Sequence, residues 1–244
     1  MAQALQKASG SSLGKRKREE DSSCPNLVFP PVPIYNNDSV IEVTVGRNRK
    51  KRTWRVAEGP LTYYSTYFQG ALRPGHFKEG EERKIHLTHD DPDVFQLFFY
   101  WLFTHQLWDK SLSPGSVPLD WDLLCRIYVF GDARGIPALR NTAIDALMDK
   151  IGVEWEVLLS TQSHYIYKNT LEGSLLRKLA VDQVIKTRNV KVLLKVPCHW
   201  EFSTEVAVEM QRVTGNRKII GQDDWKLINK CEYHDHTEVT SMKG

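Results

Sequence analysis

The sequence predicts an α+β fold, in which a small β-sheet is flanked by a cluster of α-helices and followed by a C-terminal helical extension. Three observations lead to this prediction. A stretch that alternates apolar and polar residues begins at Val40, as in a strand with one buried face. Apolar residues recur at helical spacing in several later segments. Residues 76–107 place an aromatic stretch directly after a charged one, which is typical of a surface loop leading into a core helix.

Length and composition fit one globular domain with appendages. The chain has 244 residues, of which 41% are hydrophobic and 26% charged, and its formal net charge is +3. Most of this charge belongs to residues 1–23, so the rest of the chain is close to neutral. A near-neutral body makes nucleic acid an unlikely partner on charge alone.

The cysteines and the apolar runs predict an intracellular protein that crosses no membrane. Cys24, Cys125, Cys198 and Cys231 form no C-x-x-C pair, and the first residues contain no apolar leader segment. We therefore expect free thiols in a reducing compartment, either the nucleus or otherwise the cytoplasm. Every apolar run is far shorter than the ~18 residues of a membrane span.

Residues 1–37 are expected to form a disordered arm, because Ser, Gly, Lys and Glu dominate it before a Pro-rich end. Four consecutive basic residues in this arm, Lys15, Arg16, Lys17 and Arg18, are a candidate nuclear localisation signal. A solvated charge run is the alternative, since such short basic matches recur by chance.

A β-hairpin with a basic loop is predicted next. VIEVTVG and TWRVA alternate apolar and polar residues on either side of the loop. The basic side chains between them are Arg47, Arg49, Lys50, Lys51 and Arg52. They are candidates for nucleic-acid contact, although a solvated hairpin tip is the more common structure.

The next segments predict helices around one short strand. GPLTYYSTYFQGALRPG predicts one amphipathic helix of about three turns, closed by Pro74 and Gly75. FKEGEERK predicts a polar loop and KIHL a short strand. Asp91 followed by Pro92 predicts the start of a helix that ends near Thr104. Because that helix is apolar almost all round, it belongs in a core or a partner interface, and the core is favoured.

Helices are predicted in most of the remaining chain. WDLLCRIYVFGDARG, capped by Asp120 or Asp122 and ended by Gly135, and IPALRNTAIDALMDKIG predict an antiparallel pair. Residues 152–187 predict one short and one longer helix. FSTEVAVEMQRV predicts a last helix, which a polar tail follows.

This order of elements, with its motifs, resembles the BTB/POZ domain in the form common in fungal proteins. The matching segments are VIEVTVG, WRVAEGPLTYYSTYFQGAL, HFKEGEERKIHLTHDDPDVFQLFFYWLFTHQL and LLCRIYVFGDARGIPALRNTAIDALMDKI. YIYKNTLEGSLLRKLAVD is similar to a segment that often follows the domain in such proteins. The resemblance implies a BTB/POZ domain at 38–151, a helical extension at 152–187 and a C-terminal segment of uncertain structure at 188–244.

The chain departs from the family pattern at three places. Val56–Ala57–Glu58 stand where the family often has Val-His-Lys, and Ser65–Thr66–Tyr67–Phe68 stand where it often has Ser, any residue and then two Phe. Position 105 holds His where the family usually has Gly, which bears on the turn there.

The resemblance implies a protein–protein interaction module, without catalysis, that associates with itself or with other proteins. Many BTB domains self-associate through the first helix and adjoining strands. The candidate partner or dimer surface is therefore Tyr63, Tyr64, Tyr67 and Phe68, and the alternative is that these rings fill the domain's own core. Some BTB domains bind a cullin, so a substrate adaptor of a cullin-based ubiquitin ligase is the alternative function. A nuclear regulator that contacts nucleic acid through residues 15–18 and 47–52 is the second alternative.

The sequence predicts no enzyme, no cofactor and no metal site. It contains none of the Walker, H-E-x-x-H or G-x-G-x-x-G motifs, and its G-x-S-x-G match, GSSLG at 10–14, falls in the arm expected to be disordered. Asp90–Asp91 suggest helix capping rather than a catalytic carboxylate pair. Cys198–His199 and Cys231-x-x-His234-x-His236 are too far apart in sequence for a standard zinc finger. The second group falls in the polar tail, which we expect to be mobile, so scattered free Cys and His are favoured.

Overall fold

The computed structural model describes residue 34 and residues 39–156, 160–187 and 197–237. Within them the fold is mixed α+β, as predicted, with one three-stranded sheet and ten α-helices. The strands are β1 (Val40–Val45), β2 (Arg52–Ala57) and β3 (Lys84–Leu87). The helices are α1 (Glu58–Tyr64), α2 (Thr66–Ala71), α3 (Lys78–Glu82), α4 (Pro92–Thr104), α5 (Trp121–Ala133), α6 (Pro137–Glu154), α7 (Ser160–Asn169), α8 (Leu175–Thr187), α9 (Trp200–Arg212) and α10 (Gln222–Lys226).

The candidate localisation signal Lys15, Arg16, Lys17 and Arg18 lies outside these ranges, as does the arm around it except residue 34. No helix in the described part of the chain is long and apolar enough to cross a membrane.

The sheet has the order β2-β1-β3, and the predicted hairpin is confirmed. β1 pairs antiparallel with β2 and parallel with β3, so Val43 lies between Trp54 and Ile85. A parallel pair needs a crossover connection, which here is supplied by α1, α2 and α3. Ile41, Val43 and Val45 are fully buried, as the alternating pattern predicted.

The single three-turn helix predicted after the hairpin is wrong, because the chain breaks it at Ser65. Ser65 has an extended backbone, with φ −123° and ψ 116°, and separates α1 from α2. Its hydroxyl accepts from the N–H of Phe68 (3.1 Å) and donates to the carbonyl of Arg134 (2.6 Å). A serine that finds such partners favours a helix cap over a helix interior.

The predicted polar loop contains the short helix α3. The sequence pattern did not indicate this helix, because its residues are charged or Gly and show no apolar periodicity. It ends at Arg83, whose φ is +56°. The guanidinium of Arg83 reaches back to Glu58 with N–O distances of 3.0 and 2.5 Å. This two-pronged ion pair joins the start of α1 to the start of β3.

The aromatic helix α4 is the centre of the core, as predicted. The Asp91 side chain accepts from the N–H of Asp93 (2.7 Å), and Pro92 occupies the first turn. Phe95, Phe98 and Trp101 are buried. Burial raises the pKa of Asp91, but the hydrogen bond from Asp93 and the guanidinium of Arg126 outweigh it and hold that pKa below its usual value.

The later helices also follow the prediction. Asp120 caps α5 by accepting from the N–H of Leu123 (2.7 Å), and α5 packs closely on α6. The short and longer helices predicted at 152–187 are α7 and α8. They are joined to α9 by Arg177, whose side chain is only 7% exposed.

The polar tail predicted to be mobile is ordered as far as residue 237, so α9 is not the last helix. It is followed by α10 and by a 3₁₀ turn at Lys230–Tyr233. Trp225 and Tyr233 are buried, and the Trp225 indole donates to the carbonyl of Met148 (3.1 Å). These two aromatic side chains hold the tail against α6 and α8.

Candidate interaction surface

The four aromatic residues predicted as a partner surface divide into two pairs. Phe68 is fully buried and Tyr64 is 7% exposed, so neither ring can reach a partner. Phe68 stacks on Phe98, and Tyr64 packs edge-on against Trp101. These two rings fill the core, which was the alternative left open by the sequence.

Tyr63 and Tyr67 are the members of that set that reach the surface. Tyr63 is half-buried and Tyr67 is 39% exposed.

The ring of Tyr67 is held in place by Arg134. The guanidinium carbon of Arg134 lies 4.5 Å from the centre of the ring. Arg134 also pairs with Asp90 at 2.5 Å, and the two side chains are only 17% and 16% exposed. Because its orientation is set before any partner arrives, Tyr67 loses little side-chain entropy on binding.

Gly70 lies one helical turn beyond Tyr67, and no packing against the described residues accounts for a glycine there. A β-carbon at Gly70 would meet no atom of the described residues within 4 Å. Glycine inside a helix costs about 0.5–1 kcal/mol relative to alanine, and it permits close approach of another backbone. On one face of α2, the exposed ring of Tyr67 therefore lies next to a position, Gly70, that has no side chain. We call these two residues the α2 patch.

The edges of the sheet are less suited to a partner. β2 and β3 are the outer strands, and their outward side chains include Arg52, Arg55 and Lys84. Arg52 forms an ion pair with Asp93 and lies over the Trp54 ring at 5.6 Å. Charged side chains of this kind discourage strand pairing along an edge.

The basic hairpin loop does not present all its charges. The guanidinium of Arg47 lies 2.6 Å from Nε2 of His89, and Arg52 is paired as described. Arg49, Lys50 and Lys51 are exposed at the tip. Three neighbouring cations can neutralise only a few phosphates, and the affinity for nucleic acid grows with the number of phosphates neutralised.

The turn at His105 keeps a glycine-like shape although the residue is histidine. His105 has φ +54°, and its N–H donates to the carbonyl of Trp101 (2.7 Å) to close α4. Its ring packs against Tyr64 and Trp101, with centroid distances of 5.4 and 5.8 Å. Burial lowers the pKa of His105 below its usual value.

Of the two Cys/His groups found in the sequence, the one at Cys231, His234 and His236 has its side chains close together in the fold. The ligand atoms of Cys231, His234 and His236 all lie within 4.8 Å of one another. Cys198 and His199 belong to no such group of metal-ligating side chains in the described part of the chain, and the His199 ring stacks on Tyr167.

No family model and no curated protein matches this chain. What the protein does must therefore be inferred from its own residues.

Proposed function

We propose that this protein is a BTB/POZ-type interaction module that associates with itself or with other proteins and carries out no catalysis. The proposal is supported by the order of elements on which the family resemblance was based. A hairpin, a helical segment, a short strand, a buried helix and a helical hairpin follow one another in the folded chain. The helical segment is divided in two, and β3 returns to pair with β1.

The observation that carries the proposal is the α2 patch. Tyrosine is enriched at the energetic centres of protein interfaces, because it offers a large ring and a hydroxyl at low entropy cost. Tyr67 is exposed and already oriented by Arg134, and Gly70 beside it leaves room for a partner's backbone. In the α2 patch, the Tyr67 ring can thus anchor a partner, and the surface at Gly70 lets a helix of a second chain pack closely.

A stable contact must extend beyond the α2 patch itself. Specific interfaces bury about 800 Å² on each partner, which is more than one ring and one glycine can provide. The adjoining helix α1 contributes Tyr63, whose ring packs edge-on against Tyr64. The proposed surface therefore covers the outer sides of α1 and α2, with Tyr67 near its centre.

The test is recovery of partners by the tagged full chain from the cells that produce it, followed by mass spectrometry. The variants are Gly70→Arg, which blocks the α2 patch without touching a described internal contact, and Leu112→Arg, which adds the same charge at a loop position that is 80% exposed. We expect the wild type and Leu112→Arg to recover the same proteins, and Gly70→Arg to lose them. Equal recovery by all three would overturn the proposed surface.

The same experiment separates the cullin alternative from the plain interaction module. A cullin recovered in near-equal amount with the wild-type chain would identify a ligase adaptor. Recovery of only untagged copies of the chain, or of other proteins, would leave the adaptor function without support.

A further inference from the structure

We propose that Cys231, His234 and His236 bind one transition-metal ion, and that this ion is Zn²⁺. Their ligand atoms, one sulfur and two ring nitrogens, lie within 4.8 Å of one another. In a tetrahedral zinc site, bond lengths of about 2.3 Å to sulfur and 2.0–2.1 Å to nitrogen place neighbouring ligand atoms about 3.5 Å apart. Small side-chain rotations are therefore enough to close the group on an ion.

The ligands alternate with residues that fix the backbone. Tyr233, between Cys231 and His234, is fully buried; its hydroxyl donates to Asp182 and accepts from Lys186, both at 2.9 Å. The turn that contains Cys231 is thereby pinned to α8.

Asp235 anchors the other side of His234. Its backbone N–H and C=O both bond to the side-chain amide of Asn141, each at 2.8 Å, and its carboxylate pairs with Arg140. His234 and His236 therefore flank a residue that is fixed to α6. A site whose ligands are positioned before the ion arrives loses little entropy on binding it.

An independent observation points to metal ligation by His234. Its Nε2 lies 3.0 Å from a carboxylate oxygen of Asp145, and its side chain is only 6% exposed. A carboxylate that receives one ring N–H is the usual companion of a metal-bound histidine, since it fixes the tautomer and the ring orientation. If Nε2 carries the proton that bonds to Asp145, Nδ1 is the ring nitrogen that can bind the ion.

The chemistry of the donors selects the ion. One thiolate with two imidazoles suits Zn²⁺, whereas Mg²⁺ and Ca²⁺ require oxygen ligands. Three protein ligands leave a fourth position for water. An ion held by these three ligands would fasten the C-terminal segment to α6 through the pair His234–Asp145. We therefore infer that the ion stabilises the fold. The inference does not depend on the α2 patch.

The test is a titration of the reduced full chain with Co²⁺, which substitutes for Zn²⁺ and gives a thiolate charge-transfer band. We expect saturation at one equivalent, with displacement of Co²⁺ by added Zn²⁺. Cys231→Ser should abolish the band. His236→Ala should weaken binding strongly, and because His236 is exposed this variant should fold. Asp145→Asn, which removes only the carboxylate behind His234, should weaken binding by about 10- to 100-fold.

The matched controls are Cys198→Ser and His76→Ala, a cysteine and an exposed histidine outside the group. Both should bind Co²⁺ as the wild type does. The proposal is overturned if the wild type shows no thiolate band, if Cys231→Ser retains it, or if Cys198→Ser loses it instead.

Discussion

Gly135 lies so close to Thr66 that a side chain at position 135 would displace the Thr66 hydroxyl. A β-carbon on Gly135 would lie 2.0 Å from the hydroxyl oxygen of Thr66. The N–H of Thr66 also donates to the carbonyl of Gly135 (3.3 Å). This contact joins the first residue of α2, which carries the α2 patch, to the turn between α5 and α6.

Gly135→Ala is therefore expected to destabilise the protein by about 1–3 kcal/mol, through left-handed backbone strain and displacement of Thr66. The control is Gly115→Ala: Gly115 has φ +71°, but a β-carbon there would meet no described atom within 4 Å. Chemical denaturation of both variants measures the difference. A Gly135→Ala variant no less stable than Gly115→Ala would show that the approach is not tight.

Arg177 joins three helices, and its loss should be costly. It bonds to the carbonyls of Tyr167 and Thr170 (2.9 and 2.5 Å) and pairs with Glu201 (2.9 Å). Arg177→Met leaves these groups unpaired, so we expect a loss of about 3 kcal/mol in the free energy of unfolding. Arg177→Lys should recover only part of it, because an ammonium cannot reproduce the planar fork.

The control for Arg177 is Arg212→Met, which removes a 72% exposed partner of Glu209 and should cost less than about 1 kcal/mol. Full stability in Arg177→Lys, or an equal effect of the two Met variants, would contradict the role assigned to Arg177. Denaturant unfolding is again the measurement.

His105 should make stability depend on pH. Burial lowers its pKa in the folded state below the ordinary 6.5, so the unfolded chain binds this proton more tightly. The contribution is present above pH 6.5 and is lost as pH falls from there toward the lowered pKa. Relative to His105→Gln, the wild type should therefore lose stability on acidification across that window, measured by unfolding at several pH values. A difference that stays constant with pH would contradict this.

Local signals predicted much of the fold. The hairpin, the cap at Asp91 and the core helix α4 each depend on alternation, periodicity or capping within one segment. Those signals do not require knowledge of the rest of the chain, and the structure confirms them.

The features that sequence reasoning missed depend on distant partners. The break at Ser65 needs the carbonyl of Arg134, 69 positions away. The tail is held by the contacts of Trp225 with α6 and of Tyr233 with α8. The sequence analysis named Cys231, His234 and His236 but favoured scattered side chains, because the group is far from Cys198–His199 and falls in a tail that was expected to be mobile. The spacing of Cys231, His234 and His236 was itself the available signal.

The α2 patch is proposed to join the chain to a second copy of itself or to another protein, and sedimentation velocity of the purified full chain tests the first of these. We expect the wild type and Leu112→Arg to sediment as a species of twice the chain mass, with dissociation on dilution. Gly70→Arg should sediment as a folded monomer. A wild type that is monomeric at every concentration, or a Gly70→Arg variant that associates as the wild type does, would contradict self-association through the α2 patch.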